Sequence, residues 1–210
     1  MQECANSSYW EERYQNGTTG WDLGLASPPL AGLLESPEAP PPGRAAVLGC
    51  GRGYDAVLFA SRGFDVVGFD FAPSAISASV RLAEKASLNT PLKVEFLQRD
   101  IFELPGEFGG EFDYVVEHTC FCAIPPAKRE AYVRMVHSIL RPDGELIGIF
   151  FTGDSPNQSP FGSTAAEIEE YFAPCFEILS LTPVTNSVPR REGEELLGRF
   201  RRKNWGVGKN

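Results

Sequence analysis

The chain predicts an α/β fold, a doubly wound and mostly parallel seven-stranded sheet covered by helices, and three observations predict it. Residues 47–53, Val47-Leu-Gly-Cys-Gly-Arg-Gly53, read as a buried strand that breaks into a glycine turn opening a helix. The following apolar run, Val66-Val67-Gly68-Phe69, ends on the carboxylate Asp70. Around these, strand-like and helix-like stretches alternate as far as residue 151, the pattern of repeated βα units.

In chain order, residues 8–16 read as a helix stopped by Gly17, followed by a Gly- and Thr-rich loop to Gly24. Pro28 and Pro29 open a short apolar helix over 30–34, and the proline run 37–43 is a stiff connector. Strands are expected over 45–48, 65–69, 93–97, 112–117 and 145–151, with helices over 55–61, 73–86 and 126–140. The last of these carries Tyr132, Met135, Val136, Ile139 and Leu140 on one stripe, while His137 is expected near solvent. Arg141-Pro142-Asp143-Gly144 reads as its stop and a turn. Thr164 and Glu167 form a capping box for a helix ending at Phe172. Two further strands, 177–181 and 196–202, are joined without a helix and so pair antiparallel. The basic end 199–203 reads as the solvated face of an edge strand.

The glycine spacing narrows the ligand. A dinucleotide site wants Gly-x-Gly-x-x-Gly, whereas Gly49, Gly51 and Gly53 alternate, Tyr54 replaces the third dinucleotide glycine, and no P-loop Lys follows. Such a turn suits a nucleoside cofactor without phosphate at that point, S-adenosylmethionine being the common one, with Asp70 taking the ribose hydroxyls. Gly49, Asp70, Asp100 and His118 all fall at predicted strand ends, on the edge where such sheets bind ligands.

The formal net charge of −9 argues against a nucleic-acid partner. No run approaches the roughly 18 apolar residues of a membrane span, and the N-terminus carries no signal-peptide pattern. The 5 cysteines are scattered, which predicts a reduced cytoplasmic protein with free thiols; Cys120 and Cys122 lack a second pair at metal-ligand spacing, so no metal is expected.

Three stretches carry a resemblance: Tyr9-Trp-Glu-Glu-Arg-Tyr-Gln-Asn-Gly-Thr-Thr-Gly-Trp-Asp-Leu-Gly24, Phe112-Asp-Tyr-Val-Val-Glu-His-Thr-Cys-Phe-Cys-Ala-Ile-Pro125 and Val188-Pro-Arg-Arg-Glu-Gly-Glu-Glu-Leu-Leu-Gly-Arg-Phe200. The chain resembles, from about residue 8 to residue 204, the thiopurine methyltransferase family of class I S-adenosylmethionine-dependent methyltransferases. Within that family it is most similar to the halide, thiocyanate and thiol enzymes. The resemblance implies a Rossmann-like methyltransferase sheet (44–210) with an N-terminal helical lid segment (1–43), one domain overall. It implies that Trp10, Tyr14 and Trp21 close over the cofactor, that Gly49 and Asp70 hold its turn and ribose, and that Asp100 and Ile101 lie beside the adenine. His118 matches a position touching cofactor and substrate, where the halide enzymes have Tyr; Tyr14 stands where close relatives often have Trp.

Trp and Tyr faces suit the sulfonium, since they attract cations by roughly 0.5–2 kcal/mol. The implied reaction is an in-line displacement that leaves S-adenosylhomocysteine. A soft anion needs no general base, which fits a chain with 2 histidines; in-line positioning and desolvation would supply the rate. The expected acceptor contacts are Trp21, His118, Phe121 and Arg190, with Cys120 and Ile124 beside them, and His118 as an anion holder or a base. Arg190 and Arg191 could draw an anionic acceptor in, one of the two being a solvated loop residue. The expectation is a monomer acting on a small or anionic molecule. The alternatives are an aromatic or thiopurine S-methyltransferase, a nucleotide-dependent oxidoreductase, or a silent cofactor-binding module.

Overall fold

A computed structural model describes residues 6–88, 90–153 and 159–204. Its front consists of α1 (Ser7–Gln15), capped by the Asn6 side chain accepting from Ser8 N–H, and α2 (Pro28–Glu35), opened by its two prolines. The alternating body follows: β1 (Arg44–Leu48), α3 (Tyr54–Ser61), β2 (Asp65–Asp70), α4 (Pro73–Ala86), β3 (Val94–Gln98), α5 (Pro105–Phe108), β4 (Phe112–His118), α6 (Arg129–Ile139), β5 (Leu140–Phe151), α7 (Ala165–Phe172), β6 (Phe176–Pro183) and β7 (Glu195–Arg202). The strands form one 7-stranded sheet in the order β3-β2-β1-β4-β5-β7-β6. The first five run parallel, while β7 is antiparallel to both β5 and β6. Strand order reverses between β1 and β4, which opens a crevice at their carboxyl ends.

The central strands are apolar on both faces because both are covered. Ala45 and Val47 of β1 join Leu30, Leu33, Leu34 and Phe59 from α2 and α3 on one side. Ala46 and Leu48 join Phe108, Tyr132, Val136, Ile168 and Phe172 from α5, α6 and α7 on the other. Among the described residues no helix is long and apolar enough to cross a membrane.

Several expectations change. Arg141-Pro142-Asp143-Gly144 does not separate helix from strand, because α6 ends at Ile139 and β5 begins at Leu140. The pairing with β4 jumps from Phe112↔Leu140 to Tyr114↔Glu145, and Asp143 sits at φ +62, so the turn chemistry serves a bulge inside the strand. β7 is not an edge strand: it lies between β5 and β6, and Arg199 is held by the carboxylate of Glu145. His137 is buried, its Nε2 hydrogen-bonded 2.9 Å from the Lys203 carbonyl, because the chain beyond β7 packs over α6. The helix over 73–86 and the Thr164–Glu167 capping box are as predicted. Cys50, Cys120, Cys122 and Cys175 are free thiols, and Cys4 lies outside the described residues.

Candidate functional site

The glycine turn after β1 is shaped by contacts that a side chain would spoil. Gly49 takes φ +57, and a Cβ there would stand 3.2 Å from Cys120 Sγ. Gly53 takes φ +85 as the N-cap of α3, where a Cβ would lie 2.7 Å from Ser79 Cβ and strike the Phe96 ring, so this glycine lets α3, α4 and β3 close on one another. The turn is tied to the neighbouring strand by Cys50 N–H donating to Phe69 O (2.9 Å) and Gly51 N–H to Asp70 Oδ2 (3.0 Å).

Asp70 ends β2 with its carboxylate at the crevice. Its other oxygen accepts from Ala72 N–H at 2.9 Å, at the start of α4. Burial pushes the carboxyl up to about 6 despite those backbone donors, which leaves a partly desolvated acceptor with spare lone pairs. Asp100 follows β3 and caps the next turn through Phe102 N–H (3.0 Å), which sets Ile101 beside it.

Over this row lies an aromatic wall from the front of the chain. Trp10 and Trp21 meet edge to face at 5.0 Å, Tyr14 and Trp21 at 5.7 Å, and Trp21 Nε1 donates to Tyr14 Oη at 3.4 Å. Burial, with the negative charge of Asp70, holds the Tyr14 phenol well above its ordinary range, so it stays protonated. Between wall and row is a cavity of about 460 Å³. Trp10, Tyr14 and Trp21 border it on one side and Gly49, Asp70, Asp100 and Ile101 on the other. Towards β5 the border is Cys122, Ile124, Ile149 and Phe151, the exposed Arg190 and Lys128 border it too, and so does the buried Arg191.

Two expected acceptor contacts lie elsewhere. Phe121 does not border the cavity: the short turn after β4 sends its ring into the core, 5.4 Å from Phe172 and 5.6 Å from Phe150 and Tyr132. His118 is absent from that lining too. It sits behind the aromatic wall in a smaller pocket, because its place on β4 faces α3, and its Nδ1 is 3.1 Å from Asp55 Oδ2. Of the loop pair Arg190 is exposed, as one of the two was expected to be, while Arg191 is buried and reaches the site through contacts no sequence pattern shows. Thr119, at φ +63, was not singled out from sequence; it borders the cavity in a conformation costly for a β-branched residue, its Oγ1 donating to the His118 carbonyl at 2.6 Å.

The chemistry this site offers is binding and desolvation. Burial lifts the Cys120 thiol far up and Cys122 to about 12, so neither is a thiolate near neutral pH. Glu117, fully buried below the cavity, is pushed up to about 7 by desolvation even though its Oε2 accepts from Cys120 and Phe121 N–H. Among the described residues no cluster of His, Cys, Asp or Glu is arranged to hold a metal ion.

The profile of the family described as thiopurine S-methyltransferase matches residues 5–207. The chain is 35% identical over 202 residues to a probable thiol methyltransferase 2 of Arabidopsis thaliana, covering 95% of this chain and 87% of the relative. It is 33% identical over 208 residues to thiocyanate methyltransferase 1 of Brassica oleracea, covering 97% and 89%. Among solved structures, the Burkholderia thailandensis 1,6-didemethyltoxoflavin-N1-methyltransferase with bound S-adenosylhomocysteine superposes with a TM-score of 0.75 at 22% identity, covering 94% of this chain and 87% of that one, a likeness of fold.

Proposed function

The chain belongs to the thiopurine S-methyltransferase family and is an S-adenosylmethionine-dependent methyltransferase, and from there we propose that it methylates a small soft nucleophile such as thiocyanate, bisulfide, a halide or a thiol. The observation that carries this reading is the pairing of an aromatic wall with a row of strand-end groups across one cavity. Bound there, S-adenosylmethionine supplies a methyl group on a positively charged sulfur. The residues fit it. Asp70 keeps spare lone pairs for two ribose hydroxyls, Gly49 leaves room for close approach, and Asp100 with Ile101 borders the cavity where the base would lie. Trp10, Tyr14 and Trp21 offer π-electron density to a cation and exclude water.

Ile124, Ile149 and Phe151 make the β5 side of the cavity apolar, so an anion entering it sheds water and becomes a better nucleophile. The exposed Arg190 on the cavity border draws that anion inward across an acidic surface. Holding donor and acceptor in line can supply roughly 7–11 kcal/mol of the barrier, with no general base needed for an acceptor already ionised. The 1–43 segment serves as the cover and 44–210 as the binding body of a monomer, and free thiols support a reducing cytoplasm.

The test is a headspace assay with S-adenosylmethionine and iodide, bromide, thiocyanate or bisulfide. Volatile methylated product from at least one of them is expected. Transfer to bulky aromatic thiols alone would contradict the acceptor class, and failure to bind S-adenosylhomocysteine would contradict the site.

A further inference from the structure

Behind the aromatic wall, two buried and two half-buried side chains from separate parts of the fold form one chain of contacts. Asp55 comes from α3, His118 from the end of β4, Arg191 from the turn before β7, and Glu195 from the first position of β7. Their side chains are 15%, 10%, 10% and 4% exposed, in that order. His118 Nδ1 lies 3.1 Å from Asp55 Oδ2, and its Nε2 lies 2.7 Å from Arg191 Nη1. A guanidinium only donates, so Nε2 is the acceptor and Nδ1 carries the proton towards Asp55. Arg191 Nη1 also reaches Glu195 Oε1 at 3.1 Å, and Ser187 Oγ donates to the other oxygen of Glu195 at 2.7 Å.

The free arm of this chain points at the front segment. Arg191 Nη2 donates to the backbone carbonyl of Trp21 at 2.7 Å. The same loop adds Arg190 Nη2 to the Asp22 carbonyl (3.1 Å) and Asn186 Nδ2 to the Pro28 carbonyl (2.9 Å). From the opposite side Asp55 Oδ1 accepts from Ser27 N–H at 2.7 Å, and Arg52 Nε meets Asp22 Oδ2 at 2.6 Å. The consecutive carbonyls of Trp21 and Asp22 are therefore clasped by one loop, and the clasp is oriented by His118.

We propose that His118 is a positioning residue for methyl transfer: it fixes the guanidinium of Arg191, which holds the Trp21 carbonyl and so sets the indole against the cofactor end of the cavity. It touches neither cofactor nor acceptor. This rests on the reading that Trp21 borders the bound cofactor. The geometry explains why a histidine suits the position. An acceptor facing Arg191 and a donor facing Asp55 are needed on opposite sides of one rigid, half-buried ring, and a neutral imidazole supplies both. Phenylalanine would fill the space but leave Nη1 short of one acceptor and Asp55 short of its donor.

Calorimetric titration with S-adenosylhomocysteine tests it on the parent chain and on His118→Phe, His118→Gln, Arg191→Met, Arg191→Lys and the double variant His118→Phe/Arg191→Met. His118→Phe is expected to weaken binding about tenfold or more, the effect of losing a hydrogen bond to a charged group. His118→Gln, whose amide oxygen can accept from Arg191, is expected to stay within about threefold of the parent. The double variant is expected to bind no more weakly than Arg191→Met alone, since both act through one contact. Arg191→Lys, whose one nitrogen cannot stand at both the Nη1 position facing His118 and Glu195 and the Nη2 position facing Trp21, covers the case in which His118→Phe does not fold; it too is expected to lose about tenfold. Parent-like affinity in His118→Phe or Arg191→Lys, a glutamine as damaging as phenylalanine, or losses that multiply in the double variant would overturn the role of His118 while leaving the cofactor site standing. A parent chain that does not bind S-adenosylhomocysteine would overturn both.

Discussion

The two helices at the front of the chain are fastened by different physics. α2 buries Pro29, Leu30, Leu33 and Leu34 against Phe59 and Val47, so it is part of the core. α1, only a short loop earlier, buries no residue fully. It is held by Glu11, which accepts from Ser74 N–H (2.9 Å) and Ser74 Oγ (2.6 Å) at the uncapped start of α4, and by aromatic edges. Apolar burial gives way only when the fold does. Polar contacts exchange with water at little net cost, so a segment held by them can open and close over a site. The loop between the two helices is where one regime passes into the other.

Leu30→Ala should strike hardest. The side chain is fully buried, and truncation should remove about 2–5 kcal/mol from unfolding stability in denaturant titration. Equal stability would mean that α2 is no more embedded than α1. Asp70→Ala tests the floor that the front segment faces: affinity for S-adenosylhomocysteine should fall by about 1.5–3 kcal/mol, the value of hydrogen bonds to a charged acceptor, with little change in the exposure of α1. Unchanged affinity would remove the ribose from Asp70.

The same floor predicts a pH dependence. Asp70 and Glu117 are pushed up to about 6 and about 7 from 3.8 and 4.5, desolvation being the chief cause in both. The native state therefore binds more protons than the unfolded chain across this window. Stability of the ligand-free protein should fall as pH rises from about 4 to about 7, by roughly 3 kcal/mol for each group. Glu117→Gln should flatten the upper part of that fall in melting experiments, and a rise in stability with pH would contradict the assignment. S-adenosylhomocysteine should bind more tightly as Asp70 ionises, because the carboxylate accepts two hydroxyls. The smallest effect belongs to Glu11→Gln, which loosens α1 from α4 and should cost less than about 1 kcal/mol of global stability, because the contact lies near the surface and a glutamine oxygen can still accept from Ser74. A larger loss would show that α1 carries the fold.

What could be read in the sequence divides along the same line. Local chemistry was visible: the apolar strand runs, the Pro73 start, the Thr164–Glu167 box, and a glycine turn followed by a strand-end carboxylate. Features decided by distant partners were not. Four residues at 105–108 have no periodicity to betray α5. The residues 141–144 carry turn chemistry whether they serve a loop or a bulge. The place of β7 between β5 and β6 depends on strand order, which no local pattern encodes. Phe121 turns into the core because the chain bends immediately after β4, at Thr119, and His118 lies away from the cavity because its place on β4 faces α3. Arg191 and Glu195 are i,i+4 neighbours in the sequence, yet their value comes from Trp21 and His118, far along the chain.

Hydrogen exchange of the full chain with and without S-adenosylhomocysteine puts the contrast to the most direct test. Residues 7–25 should exchange readily in the free protein and slow markedly when the ligand binds, while α2 stays protected in both states. Saturating ligand that leaves residues 7–25 exchanging as before, or that slows α2 by the same factor, would show that the aromatic front does not close over the bound nucleoside.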